Sequence, residues 1–245
     1  SRRWEIPTLI PREDNGLFIF NCMGGSWRAI RYIKGKEKIP SLNNFKYAYE
    51  VGYALAKFHA ICADFDKSKL KTSINTFHDT NYYINQYIKA LNSFEFGNTD
   101  LIINERIKNL NNEISSHFNR IHKLITYYKD NPLSNYIIHG DPKLSNFLFD
   151  NFDCFVVALI DLDTISSGPY VLDLADCIRS LCNLFGEDAK ILNSVSFDLN
   201  ICKHFLRGYF SKIPKKNFNL YSSLSEFIYL ITYELTLRFL TDYLN

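Results

Sequence analysis

The sequence contains no G-x-G-x-x-G and no G-x-x-x-x-G-K-[ST], which removes both the dinucleotide fingerprint and the Walker-type phosphate loop from consideration. Glycine is scarce, and its only pair, Gly24-Gly25, lies in Asn21-Cys22-Met23-Gly24-Gly25-Ser26, which reads as a hairpin turn. The six cysteines, at positions 22, 62, 154, 177, 182 and 202, include no C-x-x-C pair, and several fall in apolar runs. They read as reduced packing residues of a cytosolic protein and not as a disulfide framework. His59, His78, His117, His122 and His204 lack H-E-x-x-H or cysteine-partner spacing, which argues against a zinc site. No apolar stretch approaches the roughly 18 residues of a membrane span, and no signal peptide opens the chain. With a net charge of +2 and interspersed lysines, no basic stripe marks a nucleic-acid or membrane face. Repeats and low-complexity linkers are also missing.

What is present is a large apolar reserve. At 245 residues, 47% hydrophobic and 16% aromatic, the chain can bury a sizeable core and make one or two domains. Apolar spacing predicts helices over Phe45 to Ile61, Ile84 to Leu91, Ile102 to Tyr128, Val171 to Leu184, Phe197 to Phe210 and Ser223 to Leu244. The breaker Gly97-Asn98-Thr99-Asp100 separates the second from the third and offers Asn98, Thr99 or Asp100 as a cap.

The most informative segment is His139-Gly140-Asp141-Pro142-Lys143-Leu144-Ser145-Asn146, followed by Ile160-Asp161-Leu162-Asp163. Tyr136-Ile137-Ile138 reads as a short strand that delivers a loop from His139 to Asn146. Phe147-Leu148-Phe149 resumes strand character, and Phe155 to Ile160 returns antiparallel after the turn at Asp150-Asn151-Phe152-Asp153. That hairpin puts Asn146 and Asp161 toward one end. Both are hard oxygen ligands of the kind that hold Mg²⁺ on nucleotide phosphates with few protein groups. Asp141 is then placed to accept a proton from an attacking hydroxyl, and Lys143 to offset phosphoryl charge. The spacing of a carboxylate, an amide and a second carboxylate is the one phosphoryl transfer uses.

The segments HGDPKLSNFLFD and ALIDLDT resemble the aminoglycoside phosphotransferase and choline kinase superfamily. Asn75-Thr76-Phe77-His78-Asp79-Thr80, Tyr170 to Arg179 and Leu237 to Leu244 are similar to the N-acetylhexosamine 1-kinase branch. The resemblance spans Ile6 to Leu244. It implies an α+β, protein-kinase-like fold: a mostly helical large lobe with a catalytic β-hairpin, and only a remnant of the small β lobe. Residues 1–35 would be that remnant with its hinge, and residues 36–245 the catalytic lobe. Phe18-Ile19-Phe20 and Trp27 to Ile33 would be the remnant's last two strands, and Tyr32-Ile33-Lys34-Gly35 the hinge. Family members begin with a phosphate-covering loop, a strand lysine and a helix glutamate, and this chain opens at what looks like the tail of that lobe. The lack of an initiator Met fits a trimmed chain, and processing or a tag scar would also explain it.

By the same resemblance the expected activity is ATP- and Mg²⁺-dependent phosphorylation of a hydroxyl on a small molecule, foremost an N-acetylhexosamine at its anomeric position. The alternatives are a choline-like alcohol, homoserine, an aminoglycoside, or a non-catalytic large-lobe binding protein. Asp141 and Lys143 would act in catalysis, Asn146 and Asp161 would hold metal, and Tyr32 and Ile33 would meet the nucleotide. His139 would pack to hold the loop and Asp173 would anchor its backbone. Asp163 either supports the metal site or bonds the following turn. Glu234, Arg238 and Asp242 share a helix face at i, i+4 and i+8, read either as a solvated salt-bridged stripe or as the closure of an acceptor pocket by Arg238 and Asp242.

Overall fold

The computed structural model describes residues 3–35, 45–96, 100–150, 154–186, 195–213 and 223–245. The expected boundary after residue 35, the possible caps Asn98 and Thr99, and most of the turn at 151–153 lie at or outside the described residues. The chain folds as two compact units, each assembled from separate stretches.

The first unit comprises residues 1–65, 141–163 and 180–216. Strand β1 (Leu9–Ile10) pairs antiparallel with β4 (Ala29–Ile30), and β2 (Phe20–Cys22) with β3 (Gly25–Trp27). The β2–β3 turn falls at Met23 and Gly24, whose φ values of 51° and 76° are the two positive angles of a type I′ hairpin. Helix α1 (Phe45–Cys62) lies against α5 (Leu199–Phe210), whose N-cap is Asp198. Their backbones meet directly. A Cβ on Gly52 would stand 2.0 Å from the Phe205 carbonyl oxygen, and one on Gly208 1.9 Å from that of Tyr49. Across this junction the buried His59 Nδ1 pairs with the Tyr209 hydroxyl at 2.8 Å, a structural use of a histidine. The hairpin β6 (Phe147–Phe149) and β7 (Val156–Leu159) is buried along its length.

The second unit comprises residues 66–140, 164–179 and 217–245. Helix α2 (Thr80–Ser93) begins at Asp79, whose side chain accepts the Tyr82 N–H. Helix α3 (Leu101–Asp130) begins likewise at Asp100, which accepts the Ile102 N–H at 2.7 Å, and it buries Ile107, Ile114 and Ile121 on one face. Helix α6 (Leu224–Leu244) packs on both α2 and α3. Strand β5 (Tyr136–Ile138) pairs antiparallel with β8 (Ser166–Gly168), and helix α4 (Tyr170–Leu181) follows, ending in the first unit. The architecture is α+β and mostly helical. Among the described residues, no helix is long and apolar enough to cross a membrane.

Candidate active site

In the first unit, the hairpin register pairs Phe147 with Leu159, and the Ile160 N–H donates to the Asn146 carbonyl at 2.9 Å. Asn146 and Asp161 thus flank the same end of one hairpin. Asn146 is buried, and its Nδ2 donates to the Asp141 carbonyl at 2.8 Å, which ties Asp141 to the loop's last residue and directs Oδ1 away from that bond. Asp161 is exposed and has φ of 64°, a left-handed conformation that aspartate tolerates better than most residues and that clusters at functional sites. Lys143 Nζ lies 2.7 Å from Asp141 Oδ2, so the loop's cation sits beside its carboxylate. The Leu144 N–H donates to Ser180 Oγ at 3.2 Å, fixing the short 3-10 turn before Asn146.

Of the remaining sequence-predicted residues of this unit, Ile33 packs on the hairpin, while Tyr32 and Asp163 do not. Ile33 is buried with Leu148, Val157 and Ala158, and Ile160 packs against that cluster. A Cβ on Gly35 would lie 2.9 Å from Leu148 Cβ, so the backbone at Gly35 runs tightly over the hairpin. The Tyr32 side chain, 83% exposed, points to solvent. Asp163 is gripped by Arg28, whose Nη2 reaches both carboxylate oxygens, Oδ2 at 2.6 Å. Sequence reasoning missed Arg28, a lone strand-flanking arginine with no motif around it.

In the second unit, Asp173 is fully buried and accepts the His139 N–H at 2.7 Å on one oxygen and the Gly140 N–H at 2.8 Å on the other. The His139 carbonyl accepts Thr164 Oγ1 at 2.8 Å, and the His139 side chain is fully buried. Gly140 has φ of 88°, and a Cβ there would stand 2.5 Å from the Thr164 carbonyl oxygen, so only glycine fits. His78 Nε2 meets the Gly140 carbonyl at 2.7 Å, while its Nδ1 faces buried Glu234 Oε2 at 3.1 Å. Thr80 Oγ1 donates to the other Glu234 oxygen. Burial opposes charge on His78, but the bond to Glu234, its field and the Gly140 carbonyl prevail and raise the imidazole pKa to about 9.

Glu234, Arg238 and Asp242 do not form a salt-bridged stripe. Glu234 is committed inward to His78 and Thr80, and Arg238 lies over the rings of Phe77 and Tyr83 at 5.3 and 5.6 Å. Asp242 is exposed, and among the described residues it has no ion-pair partner.

In the first unit Asn146 and Asp161 flank one end of a hairpin, and in the second a buried aspartate holds the His139–Gly140 backbone. A family profile described as the phosphotransferase enzyme family matches residues 7–193, more than half of the chain, and the chain belongs to that family of small-molecule kinases. The structure resembles that of a microcompartment-associated aminopropanol kinase, with 16% identity, a TM-score of 0.61, and coverage of 96% of this chain and 67% of that one. It also resembles the amicoumacin kinase hAmiN, solved in complex with AMP-PNP, Ca²⁺ and Ami, at 10% identity and a TM-score of 0.63, covering 95% and 64%. Choline kinase from Cryptosporidium parvum Iowa II follows at 16% identity and 0.55, covering 96% and 67%. The chain therefore has the kinase-like fold and spans about two thirds of the length of these proteins.

Proposed function

We propose that this protein is an ATP- and Mg²⁺-dependent kinase acting on a hydroxyl of a small molecule, with an N-acetylhexosamine phosphorylated at its anomeric position as the first acceptor to test. The observation that carries the reading is the placement of Asn146 and Asp161 at one end of a hairpin whose loop is tied back to Asp141.

The donor set fits Mg²⁺. An amide oxygen and a carboxylate are hard ligands of the kind Mg²⁺ takes. That matches an ion completed by phosphate oxygens and water. When bound, Mg²⁺·ATP supplies the phosphoryl group and the charge neutralisation its transfer needs. Asp141 orients the acceptor hydroxyl and takes its proton. Lys143 holds the Asp141 carboxylate and stands ready for phosphate charge. Ile33, with the hairpin cluster beneath it, and Tyr32 would contact the nucleotide. Asp163 with Arg28 stiffens the segment after Asp161, and Arg238 and Asp242 would contact the acceptor. A cytoplasmic location suits reduced cysteines and an ATP supply.

An ATP-consumption assay across amino sugars, aminoalcohols, choline, homoserine and aminoglycosides tests the reading. Turnover with N-acetylhexosamines supports it. Turnover with another acceptor replaces the sugar, and no turnover with any of them favours a non-catalytic binding protein.

A further inference from the structure

All four backbone polar groups of His139-Gly140 are engaged within the second unit. Asp173 takes both N–H groups, Thr164 bonds the first carbonyl and His78 the second. The last of these differs in kind. The Gly140 carbonyl belongs to the same peptide plane as the Asp141 N–H, and it meets a ring nitrogen of a residue far away in sequence. His78 has acceptors on both sides, a carbonyl oxygen at Nε2 and a carboxylate oxygen at Nδ1. With Glu234 ionised, neutral imidazole carries one N–H and leaves one of these contacts acceptor to acceptor; only the doubly protonated ring donates to both. His78 itself has φ of 59°, a conformation retained where the surroundings dictate it.

We propose that His78 is a positioning residue: held as an imidazolium by Glu234, it clamps the Gly140 carbonyl and so fixes the peptide plane that leads into Asp141. The clamp is a property of this fold whatever the substrate, and its catalytic meaning rests on the kinase reading above. The groups around it are consistent. Glu234 on α6 receives a second bond from Thr80, which fixes its orientation. Asp176 on α4, paired with Arg179 at 2.8 Å, adds a favourable field. The Tyr83 hydroxyl lies against the His78 backbone, and Phe77 meets the ring edge-on at 4.6 Å. Arg238, the nearby cation, is drawn onto the Phe77 and Tyr83 rings.

The test needs no acceptor. Imidazole ¹⁵N spectra of the full chain, with His78 assigned by comparison with His78→Gln, should show both ring nitrogens of His78 protonated at pH 7.5. Glu234→Gln should convert His78 to a neutral ring at that pH. Hydrogen exchange read by mass spectrometry should quicken at least tenfold over residues 138–142 in Glu234→Gln and His78→Gln, with residues 107–121 of α3 unchanged. A singly protonated His78 in the wild type, or loop exchange unchanged in the variants, overturns the proposal. If His78→Gln fails to fold, the wild-type spectra and Glu234→Gln decide alone. An intact clamp in a protein without ATP turnover would defeat the kinase reading and leave the clamp standing.

Discussion

The carboxylate of Asp173 accepts the backbone N–H of His139 at 2.7 Å from a position of complete burial, and its other oxygen accepts that of Gly140. Asp173→Asn keeps the shape but turns one acceptor into a donor facing an N–H. An orphaned buried N–H costs ~1–3 kcal/mol, and lost charge assistance adds to it. Urea unfolding should therefore show Asp173→Asn less stable by at least ~2 kcal/mol. A midpoint equal to wild type would mean that the loop does not depend on this carboxylate.

The α1–α5 junction makes a prediction about folding alone. Gly52 and Gly208 let the two backbones touch, and an added methyl would sit about 2 Å from a carbonyl oxygen at either site. Flexible side chains cannot absorb that overlap, so the helices must separate and the His59–Tyr209 bond must break. Either glycine-to-alanine change should cost ~2–4 kcal/mol, against the gain expected for alanine in an ordinary helix interior. Thermal melts of Gly52→Ala, Gly208→Ala and the double variant check this, and the double should fall short of additivity because both act on one contact.

Asp141→Asn tests the general base. The substitution is nearly isosteric and retains a side-chain oxygen for Lys143 to meet, so the fold should survive. Loss of a proton acceptor lowers kcat by roughly 10²–10⁴-fold, with little change in KM for ATP. The ATP-consumption assay with the acceptor it identifies reads both, and near wild-type kcat would remove Asp141 from the chemistry.

These residues also show what a sequence can and cannot disclose. The hairpin end bearing Asn146 and Asp161 was legible because β-periodicity and a turn fix which positions oppose each other. Helix α2 starts earlier than its apolar spacing indicates because Asp79 caps it. Strand β8 was missed: Ser166-Ser167-Gly168 has no strand propensity and exists because β5 offers a partner edge. Glu234 misled most. Its i, i+4 spacing to Arg238 places both on one face but does not say whether that face meets water. The partners that decide it, His78 and Thr80, are 156 and 154 positions away.

Stability should depend on pH through His78. Its pKa is raised from 6.5 to about 9 in the folded protein, chiefly by Glu234 acting against burial. The folded state then holds a proton that the unfolded chain releases above pH 6.5, so the contribution is complete below about 6.5 and is lost as pH rises through 9. At ~1.4 kcal/mol per pH unit the span is worth ~3.5 kcal/mol at most. Unfolding free energies measured from pH 6 to 9.5 should fall in the wild type and fall less in Glu234→Gln. Parallel curves would show that His78 is neutral throughout.

The metal is tested best at Asp161, and its backbone decides which substitution is informative. With φ of 64°, alanine would be strained there, so lost activity in Asp161→Ala would mix backbone distortion with ligand loss. Asparagine accepts the left-handed conformation, keeps an oxygen in place and removes only the charge. Asp161→Asn should therefore melt within ~0.5 kcal/mol of wild type, since the residue is exposed, yet demand at least tenfold more Mg²⁺ for half-maximal turnover. Titrating Mg²⁺ at fixed saturating ATP gives the comparison, with Asp163→Asn as the control. Asp163 is paired with Arg28, so its variant should leave the Mg²⁺ midpoint within about twofold of wild type. An unchanged midpoint in Asp161→Asn, or a larger shift in Asp163→Asn, would move the metal from Asp161 to its neighbour.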